Sequence, residues 1–382
     1  MYGYINKAVS KTLAVIIAVV VIIAVIAGVA TYLATRPPAP SPSVTTTPAT
    51  SPTAAPATPT PSPKAPKELK VAVILPGTVT DYGWDYAPVI ALNKLEAMSL
   101  PIPIVSHKYV ELVEPAEAEG VMRSLIAAGY NWIWAWGFQY REAVLKVAKT
   151  APEGVYFTIN EGKPEDVIPG KVEIIDEWPH KTAYLAGIIA ASVSKTKKLG
   201  GIDGMETLHL KLAETGFVAG AKAYDPNIKY YRVIVGSWAD PEGGKRAAES
   251  LMAMGVDVIF CQGDGTSLGV IEAVKKARDE GKEVYYIGYP VDQSVIAPGY
   301  VLTSLNYDYS DILKQQVYDM YYGRFGNGKY SIELGKGMEL APFYNFDPEI
   351  PERAKKMVRE AREKILKGEL VVPTELEKVL GK

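Results

Sequence analysis

The chain has 382 residues, 48% of them hydrophobic and 22% charged, with 41 Lys plus Arg against 43 Asp plus Glu. That is enough apolar material for two or three domains, and the near-neutral balance argues against a nucleic-acid binder. One cysteine (Cys261) and three scattered histidines (His107, His180, His209) exclude a disulfide framework and a Cys-rich zinc site, so neither cofactor nor metal is expected.

The order of elements begins with a segment outside any globular fold. Residues 1–11 form a short tip carrying Lys7 and Lys11, and 12–34 read TLAVIIAVVVIIAVIAGVATYLA without a charge. As a helix that run spans roughly 34 Å, enough for a hydrocarbon core of about 30 Å, and it exceeds the usual signal-peptide length. A transmembrane anchor is expected, with the lysines placing residues 1–11 in the cytoplasm and the remainder outside the cell. Residues 35–66 are almost wholly Pro, Ser, Thr and Ala. They predict an extended stalk, roughly 90 Å in contour at about 3.1 Å per residue.

From residue 70 short apolar runs alternate with helical patterns. Runs at 71–75, 102–105, 132–136, 155–159 and 172–175 predict buried parallel strands, with helices at 116–128 and 140–149. Trp132 and Trp134, within one such run, are expected in the core. A second series follows: helix 180–194, strand 198–203, helix 206–224, strand 228–236, helix 243–254, strand 256–262, helix 266–280 and strand 283–289. A strand at 301–309, a helix at 310–322 and a last helix at 350–367 close the chain. Such alternation predicts an α/β fold of two Rossmann-like lobes with parallel sheets joined by a multi-strand hinge. The expected division is 67–178 with 302–335 for one lobe and 179–301 with 336–382 for the other.

Ligands of open α/β sheets lie beyond the carboxyl ends of the strands. The segments expected there carry aromatics and short polar groups: Asp81, Trp84 and Tyr86 after the first strand, Phe138, Asn160, Trp238, Asp264 and Asp292 after others. Aromatic faces can stack a flat ring and carboxylates or amides can bond its edges, so the cleft suits a polar heterocycle. No nucleophile elbow, Walker sequence or zinc-protease motif occurs, and QGDGTSLG (262–269) lacks the lysine of a P-loop. An enzyme is not expected.

The stretches TDYGWDY (80–86), 137–160, 183–204, 216–273 and 285–305 together resemble the basic membrane protein family of ABC-transporter solute receptors. That family has a type I periplasmic-binding-protein fold and includes purine nucleoside receptors. The resemblance implies that Asp81 and Trp84 take the places of an aspartate and a base-stacking aromatic. It also shows departures: Pro290 stands where the receptors have a ribose-binding aspartate, although Asp292 and Gln293 match. Asn306 and Tyr307 stand where a lysine is usual, and Asp264 where glycine is common. The function implied is a tethered, monomeric receptor that takes a purine nucleoside or free purine base and presents it to an ABC permease and its ATPase. A surface sensor of the same fold without transport is the alternative. Anchor and stalk lie outside the resemblance and suit a cell without a periplasm, such as an archaeon.

Overall fold

The computed structural model describes residue 62 and residues 64–381. The expected anchor (12–34) and nearly all of the expected stalk (35–66) lie outside the described residues. Among those that are described, no helix is long and apolar enough to cross a membrane.

Strand and helix alternate through β1 (Leu69–Ile74), α1 (Ala87–Glu96), β2 (Ile104–Val110), α2 (Ala118–Ala127), β3 (Trp132–Ala135), α3 (Arg141–Ala148), β4 (Tyr156–Asn160) and β5 (Val172–Trp178). The second series is α4 (His180–Val193), β6 (Lys198–Asp203), α5 (Leu208–Tyr224), β7 (Lys229–Ile234), α6 (Pro241–Ala253), β8 (Val258–Gln262), α7 (Gly265–Asp279) and β9 (Tyr285–Gly288). Then follow β10 (Val301–Tyr307), α8 (Ser310–Tyr322), β11 (Lys329–Leu334), β12 (Gly337–Leu340), α9 (Glu352–Leu366) and α10 (Leu376–Leu380).

The strands lie in the order β2-β1-β3-β4-β5-β11-β12-β10-β9-β8-β6-β7. β10 joins two parallel runs. Its first half pairs in parallel with β9, and Leu305–Tyr307 pair antiparallel with β12. Each run winds both ways from its first strand: β1 sits between β2 and β3, and β6 between β7 and β8. Such reversals open a crevice outside the carboxyl ends of the strands, and this molecule has one in each run.

Central strands are buried on both faces because helices cover both, which explains the unbroken apolar runs in β1, β3, β4 and β8. Edge strands break that rule. The strand expected at 102–105 lies instead at Ile104–Val110, half-exposed, because β2 has a neighbour on one side only. α1, β11 and β12 have no counterpart among the sequence expectations. β11 and β12 are short and of mixed polarity, and α1 follows directly on the aromatic loop.

The helix pair α4–α5 holds the second run against the first. Cβ atoms built at Gly216 and Gly220 of α5 would fall about 2 Å or less from the carbonyl oxygens of His180 and Tyr184 in α4. Only glycine permits this approach, and it carries the N-terminus of α5 to the end of β5.

Candidate ligand-binding cleft

A cleft of about 710 Å³ opens where the strand ends of the two runs face each other. Its lining comes from the segments after β1, β2, β3 and β4 and from Glu177 in β5 on one side, and from the ends of β6, β7, β8 and β9 on the other. That volume suits a small-molecule ligand.

The loop after β1 is built around Asp81. Its two carboxylate oxygens accept from the Gly83 amide (2.9 Å) and the Asp85 amide (3.2 Å), an arrangement that shapes the turn. Gly83 then lies against Asp264, where an added Cβ would sit 2.6 Å from Oδ1. The next amide, of Trp84, donates to that same Oδ1 at 2.9 Å. Asp264 holds φ = 48°, a strained backbone for a residue with a side chain. The loop and the β8–α7 turn are therefore fastened together at the back of the cleft. Gln293 adds a second fastening by donating to the Tyr82 carbonyl and to Ser267 Oγ, both at 3.1 Å.

Trp84 lays its indole against Trp136, with centroids 4.7 Å apart, and donates Nε1–H to Glu177 Oε1 at 3.2 Å. The same oxygen accepts from Asn160 Nδ2 and Tyr309 Oη, each at 2.6 Å. Burial, then the neighbouring Glu161, raises Glu177 to about 7, against the charge of His209 and the donors Tyr309 and Trp84. Beside it stands His209, on the first turn of α5 behind the N-cap Thr207. Its Nδ1 lies 2.7 Å from Glu161 and its Nε2 3.5 Å from Asp176. Burial disfavours the imidazolium, but Asp176, Glu161 and Glu177 outweigh it and raise His209 to about 10. It is a cation at neutral pH, joining the β4–β5 side of the cleft to α5.

Around Asp81 no such cation is found among the described residues. Burial raises Asp81 to about 6 in spite of its amide donors. Burial together with Asp81 raises Asp264 to about 8, and burial with Asp81 and Asp264 raises Asp85 to about 9.

Of the residues singled out from sequence, Asp81, Trp84, Phe138, Trp238 and Asp264 line the cleft. Phe138 (59% exposed) and Trp238 (38% exposed) stand at its rim, and Trp238 lies over Gly204, which has no Cβ to obstruct it. Tyr86, Asn160 and Asp292 do not line it. Tyr86 packs into the core behind the loop, with its ring 5.3 Å from Tyr82. Asn160 is fully buried as a support of Glu177. Asp292 caps the turn at 293–295 through the Ser294 amide and accepts from Tyr344 Oη. Asp85, Glu177 and His209 line the cleft outside the residues expected there, and Glu161 and Gln262, at strand ends expected to face the ligand, line it as well. No spacing signal marks them, because they meet only through folding. Trp132 and Trp134 are core residues, as expected, and Trp136 joins them fully buried.

The chain matches the family of PnrA-like ABC transporter substrate-binding proteins over residues 68–375. It is 30% identical over 312 residues to basic membrane protein A2 of Borrelia garinii subsp. bavariensis, covering 80% of this chain and 88% of the relative. It is 27% identical over 309 residues to a purine-binding protein of Brucella abortus, covering 80% and 83% of the two chains. In fold it resembles the crystal structure of an ABC transporter solute-binding protein from Aeropyrum pernix K1, with a TM-score of 0.69 at 20% identity over 82% of this chain and 96% of that one. A solute-binding protein from Conexibacter woesei gives a TM-score of 0.65 at 23% identity over 80% of this chain and 99% of that one.

Proposed function

Because the chain belongs to the family of PnrA-like ABC transporter substrate-binding proteins, we propose that its cleft takes a purine base or nucleoside and hands it to a membrane permease. The observation that carries this reading is Trp84. Its ring forms part of the cleft at a switch point, its backbone is tied to Asp264, and its indole N–H is tied to Glu177. A ring braced in this way offers a fixed face for a flat heterocycle, while Gln262 and the carboxylates offer acceptors to its N–H edges. The purine-binding relative from Brucella abortus supports the same ligand class.

Free base and nucleoside are equally suited. Asp292 turns to a structural task outside the cleft, Pro290 has no side-chain donor or acceptor, and no Lys or Arg lines the cleft among the described residues. A ribose would thus lack the charged partners that the family resemblance implies elsewhere. The apolar run of 12–34 and the proline-rich segment after it would hold this receptor on the outer face of a cell membrane, as a monomer, with permease and ATPase as partners. Delivery would follow closure and reopening of the two sides about the connecting strands.

The test is mass spectrometry of small molecules released from the denatured full-length protein, followed by melting with adenine, guanine, hypoxanthine and their nucleosides. A purine mass is expected, with stabilisation of about 2.7 kcal/mol when ligand is at a hundredfold excess over Kd. If no purine is released and none of the six shifts the melt, the purine reading is wrong.

A further inference from the structure

The charge around this cleft is one-sided. Six carboxylates line it (Asp81, Asp85, Glu161, Glu177, Glu206 and Asp264) against one basic side chain, His209. Glu161 is paired with His209, and Glu206 with Lys211 and Arg232. Glu177 faces the same His209 cation, whereas Asp81, Asp85 and Asp264 have no cation beside them among the described residues. Carboxylates taken out of water without a cation are costly, and the positive charge must come from protons or from the ligand. Nor does a coordinated metal supply it: among the described residues no group of three or more His, Cys, Asp or Glu side chains is placed to hold one.

Two further observations point to a ligand. Asp85 Oδ1 and Gln262 Oε1 belong to cleft residues that are only 6% and 1% exposed, yet neither atom has a hydrogen-bond partner. Gln262 is held with its Nε2 donating to Asp203 Oδ1 (2.9 Å) and to the Leu210 carbonyl (3.4 Å), so its oxygen is the end left over. Four aromatic side chains, Trp84, Trp238, Phe138 and Tyr289, share the lining with aliphatic and small polar residues. Aromatic faces and unpaired carboxylates favour the same thing, a cation spread over a flat ring.

We infer that this cleft selects a positively charged nitrogen heterocycle, such as a purine nucleoside made cationic by ring methylation, over its neutral parent, and that it rejects phosphorylated nucleotides. The inference rests on the purine reading for the ring it names, but its charge preference stands on the carboxylates alone. A cationic ring would bring one positive charge to the three carboxylates that have none, so that one of them can ionise where it otherwise holds a proton. A phosphate would meet them with no Lys or Arg in the cleft lining to offset the repulsion.

Calorimetric titration of the full-length protein at pH 7 separates the two readings. One series is 1-methyladenosine (cationic), adenosine (neutral) and AMP (anionic). 7-Methylguanosine against guanosine moves the charge to another ring edge, so that the steric fit of one methyl group does not decide the outcome. Thiamine serves as a cationic heterocycle that is not a purine. At least one methylated nucleoside is expected to bind roughly tenfold tighter than its parent, with AMP below detection. If both neutral parents bind as tightly as their cationic forms, or AMP binds like adenosine, the charge inference falls and the purine reading survives. If thiamine binds and no nucleoside does, the nucleoside form of the purine reading falls and the charge inference survives. If none of the six binds, the charge inference and the nucleoside form both fall.

Discussion

On the β4–β5 side of the cleft, Glu161 and Asp176 close on a protonated His209. On the β1–β8 side, Asp81, Asp85 and Asp264 face one another with no cation among the described residues. Both sides are buried and acidic, but one carries its own cation, whereas the other relies on bound protons or on charge from outside. The first side ties α5 to the β5 strand end, and the second shapes the loop that presents Trp84. Acidity alone does not mark a ligand contact; what matters is whether the fold supplies the counter-charge.

The sharpest way to break this contrast is to remove the counter-charge. His209→Ala leaves Glu161, Asp176 and Glu177 repelling one another without a cation, and should cost about 3 kcal/mol of stability, the lower part of the range for breaking a buried ion pair, since Asp176 stays partly solvated. Urea denaturation at pH 7 reads this directly, and a change under about 0.5 kcal/mol, the level of an ordinary surface substitution, would show that His209 braces nothing. The pH dependence has a definite sign. The pKa of His209 is raised in the folded state to about 10, so its contribution is full below the unfolded value near 6.5 and is lost as pH rises through about 10.

The opposite side predicts the opposite mutational result. Asp85 is raised to about 9 from an ordinary value of 3.8, so the folded protein holds a proton that the unfolded chain has released. Stability is therefore highest below about pH 4 for this group and falls as pH climbs toward 9. Asp85→Asn removes the penalty and should stabilise the ligand-free protein by about 2 kcal/mol at pH 9, on the scale of a buried charged group relieved of ionising unpaired. It should change little at pH 4. Melting curves at the two pH values check this, and equal effects at both would mean that Asp85 is not the strained group.

How far this was legible in the sequence depends on the range of the interaction. Alternating apolar runs record local burial, so the α/β class and most elements can be read within a few residues. The edge strand β2 is legible only in part and the short late strands β11 and β12 not at all, because their neighbours rather than their composition make them strands, whereas the apolar edge strand β7 is legible to within two residues. The cleft divides in the same way. Trp84, Phe138 and Trp238 are large aromatics in loops and stand out; Glu177 and His209 are 32 positions apart and acquire their meaning only when α4 and α5 pack through Gly216 and Gly220. Asn160 and Asp292 show the converse error. A polar residue at a strand end can be turned inward to hold its neighbours, and nothing in its local sequence distinguishes the two orientations.

The smallest expected effect concerns the residue that touches both sides. Trp84 donates its amide to Asp264 and its indole N–H to Glu177, while its ring lies on Trp136. Trp84→Phe keeps the amide bond and an aromatic face and deletes only the indole donor. Glu177 Oε1 still accepts from Asn160 and Tyr309, so the loss should be about 1 kcal/mol of stability, with ligand affinity changed by less than about fivefold. Trp84→Ala also removes the face. If that face stacks on the ligand, affinity should drop by about 1–3 kcal/mol, or roughly 5- to 150-fold. Titration of both variants with whichever purine the protein releases, alongside their melting curves, separates platform from strut. A platform gives a large gap in affinity between Phe and Ala. A strut gives a gap in melting temperature with affinity unchanged, and that result would move the ligand away from Trp84 toward Trp238 on the other rim.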